Sequence, residues 1–430
     1  MSGILTSGKL VLTDSEGNVD AFGRIRVSEP QTLFEIHHVF GKENYVMDEL
    51  ISGSGTSTHN SSGSYVALEV ANTDVGKAIR QSYEYIPYQS GKSKLMLFTG
   101  VMEVSGGVAN STERVGCFDS NVDKTSVSGT GNGHFFELDD TTMYVVERKN
   151  NDDTKVAQAS WNVDALDGNG PSGLTISSWD KANIFAIDQE WLGVGTIRMG
   201  IYVNGTFKEC HRFDHSGLGT PASTAITTPY TKTAKLPVRY EISSDSSVNA
   251  EMRMMCSTVI SEGGFEPVGR VNGFSRHSSV SLAWNSSGTF TPIFSLRLKE
   301  TEPENRGTAV IKNVHLLNIT NNRYINFHIY MLTDDSKLTD ESFSDIDSTN
   351  SIVQYDTSAT AVDLTGSISI GSGFAKTKAS KEYSFEKYLN SPIINSHIDG
   401  KSRILCLAAI NLTSNTTVSV YAGFEWIEIK

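Results

Sequence analysis

The feature that most constrains this chain is a two-residue alternation of apolar and polar side chains, broken at short intervals by turn residues. It is clearest around Thr196-Ile-Arg-Met-Gly-Ile-Tyr-Val203, which meets Asn204-Gly205 and returns through Thr206-Phe-Lys-Glu-Cys-His-Arg-Phe213. Successive side chains of a strand point to opposite faces, so this period belongs to strands and not to helices. Asn-Gly tolerates positive φ at both central positions of a two-residue turn, and the segment is therefore predicted as a type I′ hairpin. Similar runs predict strands over Tyr65–Val70, Ser93–Val104, Phe135–Leu138, Met143–Arg148, Ile184–Asp188, Val238–Ile242, Glu251–Ile260, Ile293–Leu298, Ala309–Leu317 and Tyr324–Tyr330. Helical periodicity is confined to a turn or two near Lys381–Tyr388. The expected fold class is all-β.

A chain of 430 residues exceeds what one hydrophobic core holds, since domains split beyond roughly 250–300 residues. Two glycines and a proline in Ser261-Glu-Gly-Gly-Phe-Glu-Pro-Val-Gly269 place the break there. The first 35 residues read differently: Leu10-Val-Leu12, a turn at Asp14–Asn18, and Phe22-Gly-Arg-Ile-Arg-Val27 before Pro30 predict a small hairpin arm. The expected organisation is therefore an arm over 1–35, a jelly-roll or lectin-like β-sandwich over 36–265, and a second β-sandwich over 266–430. Such an arm either clamps a neighbouring subunit, with Phe22, Arg24, Arg26 and Phe34 as its assembly residues, or folds back on its own domain.

The formal charge of −13 argues against nucleic acid and anionic membrane as partners, because both need clustered Lys and Arg. Cys117, Cys210, Cys256 and Cys406 are scattered, with no redox or zinc spacing, and are expected as reduced thiols. The opening residues lack the pattern of a secretion leader, so synthesis in a cytoplasm is expected and Asn-x-Ser/Thr triplets such as that at Asn60 are put down to composition.

Four constellations invite a chemical reading. Gly91-Lys-Ser93 ends like a phosphate loop, yet Ile86 stands where that motif needs glycine. Cys210, His211 and His215 lie on or beside one strand, but a zinc site needs further donors. Asp119, Asn121 and Asp123 have the first spacings of a calcium loop, although Lys124 replaces the turn glycine and Thr130 the bidentate acid. Asp164, Asp167 and Asn169 form a second acidic loop that a β-turn explains without an ion. No catalytic triad is written locally, no cofactor is implied, and Trp161, Trp179, Trp191, Trp284 and Trp426 read as core aromatics before they read as sugar platforms.

The run Asp20-Ala-Phe-Gly-Arg-Ile-Arg-Val-Ser-Glu-Pro-Gln-Thr-Leu-Phe34 resembles the opening of a family of virion structural proteins of tailed phages. Further blocks resemble it in the same order, at Arg80-Gln-Ser-Tyr83, Pro87–Ser93, Phe185, Trp191–Arg198, Leu236–Ile242 and Cys256–Gly264, covering about residues 20–265. The resemblance implies a virion protein with a lectin-like sandwich. The expected function is a non-enzymatic structural component that forms a homo-oligomer of three, five or six copies on the tail, neck or baseplate, or as an appendage, alongside other virion proteins. The alternatives are a capsid decoration protein and a receptor-binding protein that contacts host glycan.

Overall fold

A computed structural model describes residues 29–430 apart from 103, 105, 122, 124–129, 218–225, 267, 377 and 386–391, and assigns strands Gly3–Thr6 and Lys9–Leu12 ahead of them. The fold is all-β: every element is a strand or a single 3-10 turn, and no α-helix occurs among the described residues. Every strand pairing is antiparallel, as short turns between alternating runs require.

The first sandwich is two sheets. One runs, edge to edge, Asp152–Ala157, Thr142–Lys149, Gly133–Asp139, Ser111–Phe118, Val238–Ser244, Gly76–Ser82 and Met47–Gly53. The other runs Thr206–Phe213, Ile197–Val203, Asn183–Gln189, Lys94–Val101, Ala250–Ser261, Tyr65–Val70 and Gly55–Asn60, with Gln31–His37 also on Ala250–Ser261. The alternation decides which side chains meet between them. Val115, Phe136, Leu138, Met143 and Val145 face Met96, Phe98, Phe185 and Ile187 in one buried cluster, and the rings of Phe136 and Phe185 lie 5.0 Å apart. Tyr240 crosses this core, where its hydroxyl lies 3.0 Å from Ser257 Oγ and within reach of the carbonyls of Thr99 and Cys256. The Asn204-Gly205 turn has φ of 50° and 73°, the two positive values a type I′ hairpin needs.

The second sandwich has its own core, built on Leu296, Ile311, Val314, Phe327, Leu407, Phe424 and Trp426. One sheet is ordered Arg270–Ser275, Thr417–Ile429, Thr308–Asn318 and Ala379–Ser384, the other Ser344–Asp345, Val353–Asp356, Thr291–Leu298, Ile404–Asn411, Ile325–Leu332 and Ile368–Ala375. The two clusters share no residue, and residues 262–269 join them.

Two expectations change. Of the segment expected to be helical, Lys381–Tyr388, the part through Ser384 is strand within Ala379–Ser384, because pairing with Thr308–Asn318 outweighs its short helical pattern, and residues 386–388 lie outside the described residues. Gly3–Thr6 pairs with Lys9–Leu12, and the turn expected at Asp14–Asn18 lies outside the described residues. Phe34 is buried in the first core on the strand Gln31–His37, which removes it from the arm; Phe22, Arg24 and Arg26 lie outside the described residues.

The domains meet through buried charge. Asp119 accepts from Asn132 N at 2.9 Å, from the Tyr85 hydroxyl at 3.1 Å, and from Arg306 of the second domain at 3.0 Å. Glu302 accepts from Thr130 N and pairs with the same Arg306. In a second patch, Asp48 accepts from Ile398 N at 2.8 Å and from His397 Nδ1 at 3.2 Å, while Arg403 lies 4.3 Å over the Tyr83 ring.

Two predictions follow from this packing. Tyr240→Phe leaves the acceptors of the facing sheet without their donor and is expected to cost about 1–3 kcal/mol, read as a lower urea midpoint at unchanged slope. At the second patch, burial alone would lower the His397 pKa, but the bond and charge of Asp48 outweigh it and raise it above 6.5. Its stabilisation is present below 6.5 and lost as pH rises through the raised value. Burial would raise Asp48, but His397 holds it below 3.8, so its share is lost only in acid. The unfolding midpoint is expected to fall as pH rises above 6.5 and through the raised His397 value, and His397→Gln to flatten that fall; an equal slope in the variant would refute the assignment.

Candidate functional site

At one end of the first sandwich, two loops are held tightly enough to shape a cavity of about 510 Å³, lined by Tyr88, Lys92, Asp188, Glu190, Leu192, Arg198 and Arg212 among others. The turn Gln89-Ser-Gly-Lys92 closes with Lys92 N donating to Gln89 O, and Gly91 supplies a φ of 83°. The connection Glu190-Trp-Leu-Gly-Val-Gly-Thr196 closes twice, Glu190 N to Thr196 O at 3.0 Å and Gly195 N to Trp191 O at 2.9 Å. That closure drives Leu192 to φ 36° while its side chain stays 54 % exposed. A bulky non-glycine residue in that region stores about 1–3 kcal/mol, and such strain persists only where the surroundings over-determine it. Here they do: the Tyr88 hydroxyl accepts from Leu192 N, the Tyr88 ring meets Trp191 edge-on at 5.6 Å, and Trp191 Nε1 donates to Thr231.

The root of the N-terminal segment lies at this same end. Gln31 accepts from Phe265 N at 2.8 Å, Lys92 Nζ donates to Gly264 O at 3.1 Å, and Gln89 accepts from Glu266 N. Pro87–Ser93, Trp191–Thr196 and Ser261–Gly264 thus converge beside residue 31, although they are far apart in sequence.

The outward face of the Asp152–Met47 sheet carries the densest charge. Glu137, Arg114 and Glu241 stand opposite one another on three neighbouring strands. Arg114 bonds Glu137 at 2.6 Å and Glu241 at 2.7 Å, so the carboxylates, about 10 Å apart at their backbones, share one cation. Lys155 also reaches Glu137, and Arg239, 1 % exposed, joins Glu241 to Asp123, which Lys77 approaches to 3.1 Å. Burial would raise the Glu241 pKa, but Arg239 and Arg114 hold it far below the usual carboxylate range, and these carboxylates raise both guanidinium values. A carboxyl held this way cannot deliver a proton at neutral pH, which general-acid chemistry needs.

Asp119 and Asp123 close ion pairs with Arg306, Arg239 and Lys77 instead of the calcium loop weighed for them, and coordinating a cation would strand those buried guanidiniums; Asn121 lies half-buried beside them. Among the described residues no cluster of His, Cys, Asp and Glu is arranged to hold a metal. His215 pairs with Glu147 at 2.9 Å and stacks on Tyr230, and His211 accepts from Asn162 N, so neither is left to ligate. Asp164 and Asp167 accept from backbone amides of their own turn. Trp161, Trp179 and Trp426 are core, while Trp284 is 38 % exposed. The cavity residues Asp188, Glu190 and Leu192 were not anticipated. The signal available was the paired glycines of Trp191-Leu-Gly-Val-Gly195, which mark a forced loop.

No protein-family model and no curated protein matches this chain. Among solved structures it is similar to a glucuronan lyase from the fungus Trichoderma reesei (11 % identity, 55 % of this chain and 97 % of that one, TM-score 0.36). It is similar to peanut lectin (11 %, 54 % and 98 %, 0.32) and to a carbohydrate esterase of the Shiga toxin-encoding bacteriophage phi24B (8 %, 55 % and 100 %, 0.31). Likeness at these scores does not extend to ligand or chemistry.

Removing one member of the charged row tests its weight. Arg239→Met leaves Glu241 and Asp123 buried against fewer cations and is expected to destabilise the first domain by about 3–5 kcal/mol. Lys181→Ala, which breaks the exposed pair with Asp180, is expected to leave the unfolding midpoint nearly unchanged, because water and salt screen that pair. Denaturant titration of both variants measures the contrast.

Proposed function

We propose that this chain is a non-enzymatic structural subunit of a tailed-phage particle, which assembles with copies of itself by seating the N-terminal segment of one copy against the Tyr88–Leu192 end of the next. The observation that carries the reading is the strained and exposed Leu192, beside the root of that segment. A knob of this kind gains when a partner buries it, by about 25 cal/mol for each Å² of apolar surface. Val194, 40 % exposed on the same loop, widens the apolar patch. Glu190 in the cavity lining offers an acceptor to Arg24 or Arg26, Asp188 being already paired with Arg198, and Phe22 supplies an apolar side chain for Tyr88 and Leu192.

The resemblance to tailed-phage virion proteins supports the same reading, since its blocks at 87–93, 191–198 and 256–264 meet at this end. The non-enzymatic part rests on the charged sheet face, where Glu137 and Glu241 are spent on Arg114, Arg239 and Lys155. A place on the tail, neck or baseplate is favoured, with capsid decoration the competitor that labelling the chain in intact particles would separate.

The full chain is expected to run as a homo-oligomer in size-exclusion chromatography with light scattering. Deleting residues 1–28 is expected to yield monomer, and Leu192→Asp to weaken self-association at least tenfold, about 1.4 kcal/mol, with the melting temperature held. An oligomer that survives both changes intact sinks the arm-and-knob reading.

A further inference from the structure

A second cavity belongs to the second domain and plays no part in the assembly just proposed. It is an open groove of about 680 Å³ on the outward face of the sheet built from Arg270–Ser275, Thr417–Ile429, Thr308–Asn318 and Ala379–Ser384. Its floor follows from strand alternation. Phe424 and Trp426 point into the core, so Tyr421, Gly423 and Glu425 share the outer face of one strand. His315 stands opposite Gly423, and Leu317 opposite Tyr421, on the neighbouring strand. Gly423 keeps the middle of the floor low, because a Cβ there would lie 2.9 Å from Ser275 Cβ.

This places an aromatic ring and an aliphatic side chain, Tyr421 and Leu317, at one end of the groove floor and one carboxylate, Glu425, four residues along the same strand, about 13 Å away at the backbone, with Gly423 and His315 between them. The carboxylate is held in position: Asn313 Nδ2 donates to Glu425 Oε2 at 2.7 Å, and His315 Nε2 lies 3.5 Å from Oε1. A carboxylate accepts about four hydrogen bonds, so Glu425 retains capacity for hydroxyl donors entering the groove. We propose that this groove is a saccharide site that takes a neutral pyranose, with the sugar's C–H face on Tyr421 and Leu317 and adjacent hydroxyls donating to Glu425.

Two features narrow the ligand class. Arg276, the cation at the edge of the groove, is spent on the carbonyls of Ile293 and Thr357, both at 2.6 Å, which disfavours an acidic sugar. Glu425 is the one carboxylate among the described lining residues, so the groove has the means to bind a sugar but lacks the opposed pair that would hydrolyse it. The volume falls within the roughly 300–1,000 Å³ of small-ligand pockets. The site rests on the second domain alone and stands or falls apart from the assembly reading.

The full-length chain, titrated with methyl α-mannoside, methyl β-galactoside and N-acetylglucosamine to millimolar concentration, is expected to show saturation transfer from protein to at least one of them. Tyr421→Ala and Glu425→Gln are each expected to weaken that sugar about tenfold or more in calorimetry, whereas Tyr421→Phe keeps the ring and the binding. Leu192→Asp, at the proposed assembly end, is expected to leave it unchanged. Melting curves verify that the variants fold. Absence of transfer to all three sugars, or binding undiminished in both Tyr421→Ala and Glu425→Gln, overturns the proposal.

Discussion

Burying arginine is the constraint on which much of this structure depends. Arg80, Arg239 and Arg306 are each at most 3 % exposed, and a guanidinium cannot shed its charge to escape the cost of leaving water. Each must be met by acceptors in fixed places. Arg239 has Glu241, Asp123 and Gln81; Arg80 has Glu49 and Asn44; Arg306 has Asp119 and Glu302. These acceptors come from separate strands and loops, so satisfying the arginines fixes how the strands and loops are set. Asp119 shows this most directly, because its one carboxylate ties the loop at Asn132, the Tyr85 ring and the second domain's Arg306 together. Such networks add little net stability over an apolar core of the same volume, but they penalise misplacement heavily. They account better for two domains meeting in one arrangement than for the strength of the meeting.

The same constraint separates what was legible in the sequence from what was not. Tyr65–Val70 and the hairpin over residues 197–213 could be read because their determinants are local: a period of two, and Asn-Gly at the turn. The strand Ile404–Asn411 escaped because all eight of its residues are buried, which erases the alternation. Ala379–Ser384 was misjudged because a short edge strand is decided by its partner, here Thr308–Asn318. Asp119 and Asp123 looked like the start of a calcium loop because ligand spacing is a local pattern, whereas the cations that claim them arrive from positions 239 and 306. Proximity in sequence could not report that, nor could it report the meeting of Tyr88, Leu192 and Gly264 at one end of the sandwich.

The two domains spend their outward faces differently. On the first, Glu137, Glu241 and Asp123 are already paired with Arg114, Arg239, Lys155 and Lys77, and a ligand hydroxyl would have to displace a charge-assisted bond to reach them. On the second, Glu425 is anchored by the Asn313 amide, with His315 Nε2 at 3.5 Å, and keeps acceptor capacity toward solvent, with the half-buried Tyr421 ring further along the same strand. A face satisfied from within serves as scaffold, and a face satisfied from one side only is open to a partner. On the two proposals made above, binding belongs to the second domain and assembly to the loop end of the first.

Leu192 ties that division to energetics. Glycine at 192 would adopt φ 36° without steric cost, and the loop already contains Gly193 and Gly195, so a relaxed version lies one substitution away. Leucine there carries both the backbone strain and an exposed apolar side chain, and in the isolated subunit neither is repaid. Covering the side chain repays both, since removing about 60–120 Å² of apolar surface from water returns about 1.5–3 kcal/mol, comparable to the strain. The loop is thus marginal alone and favourable when occupied, which suits a contact that forms on assembly better than one that stabilises a solitary fold.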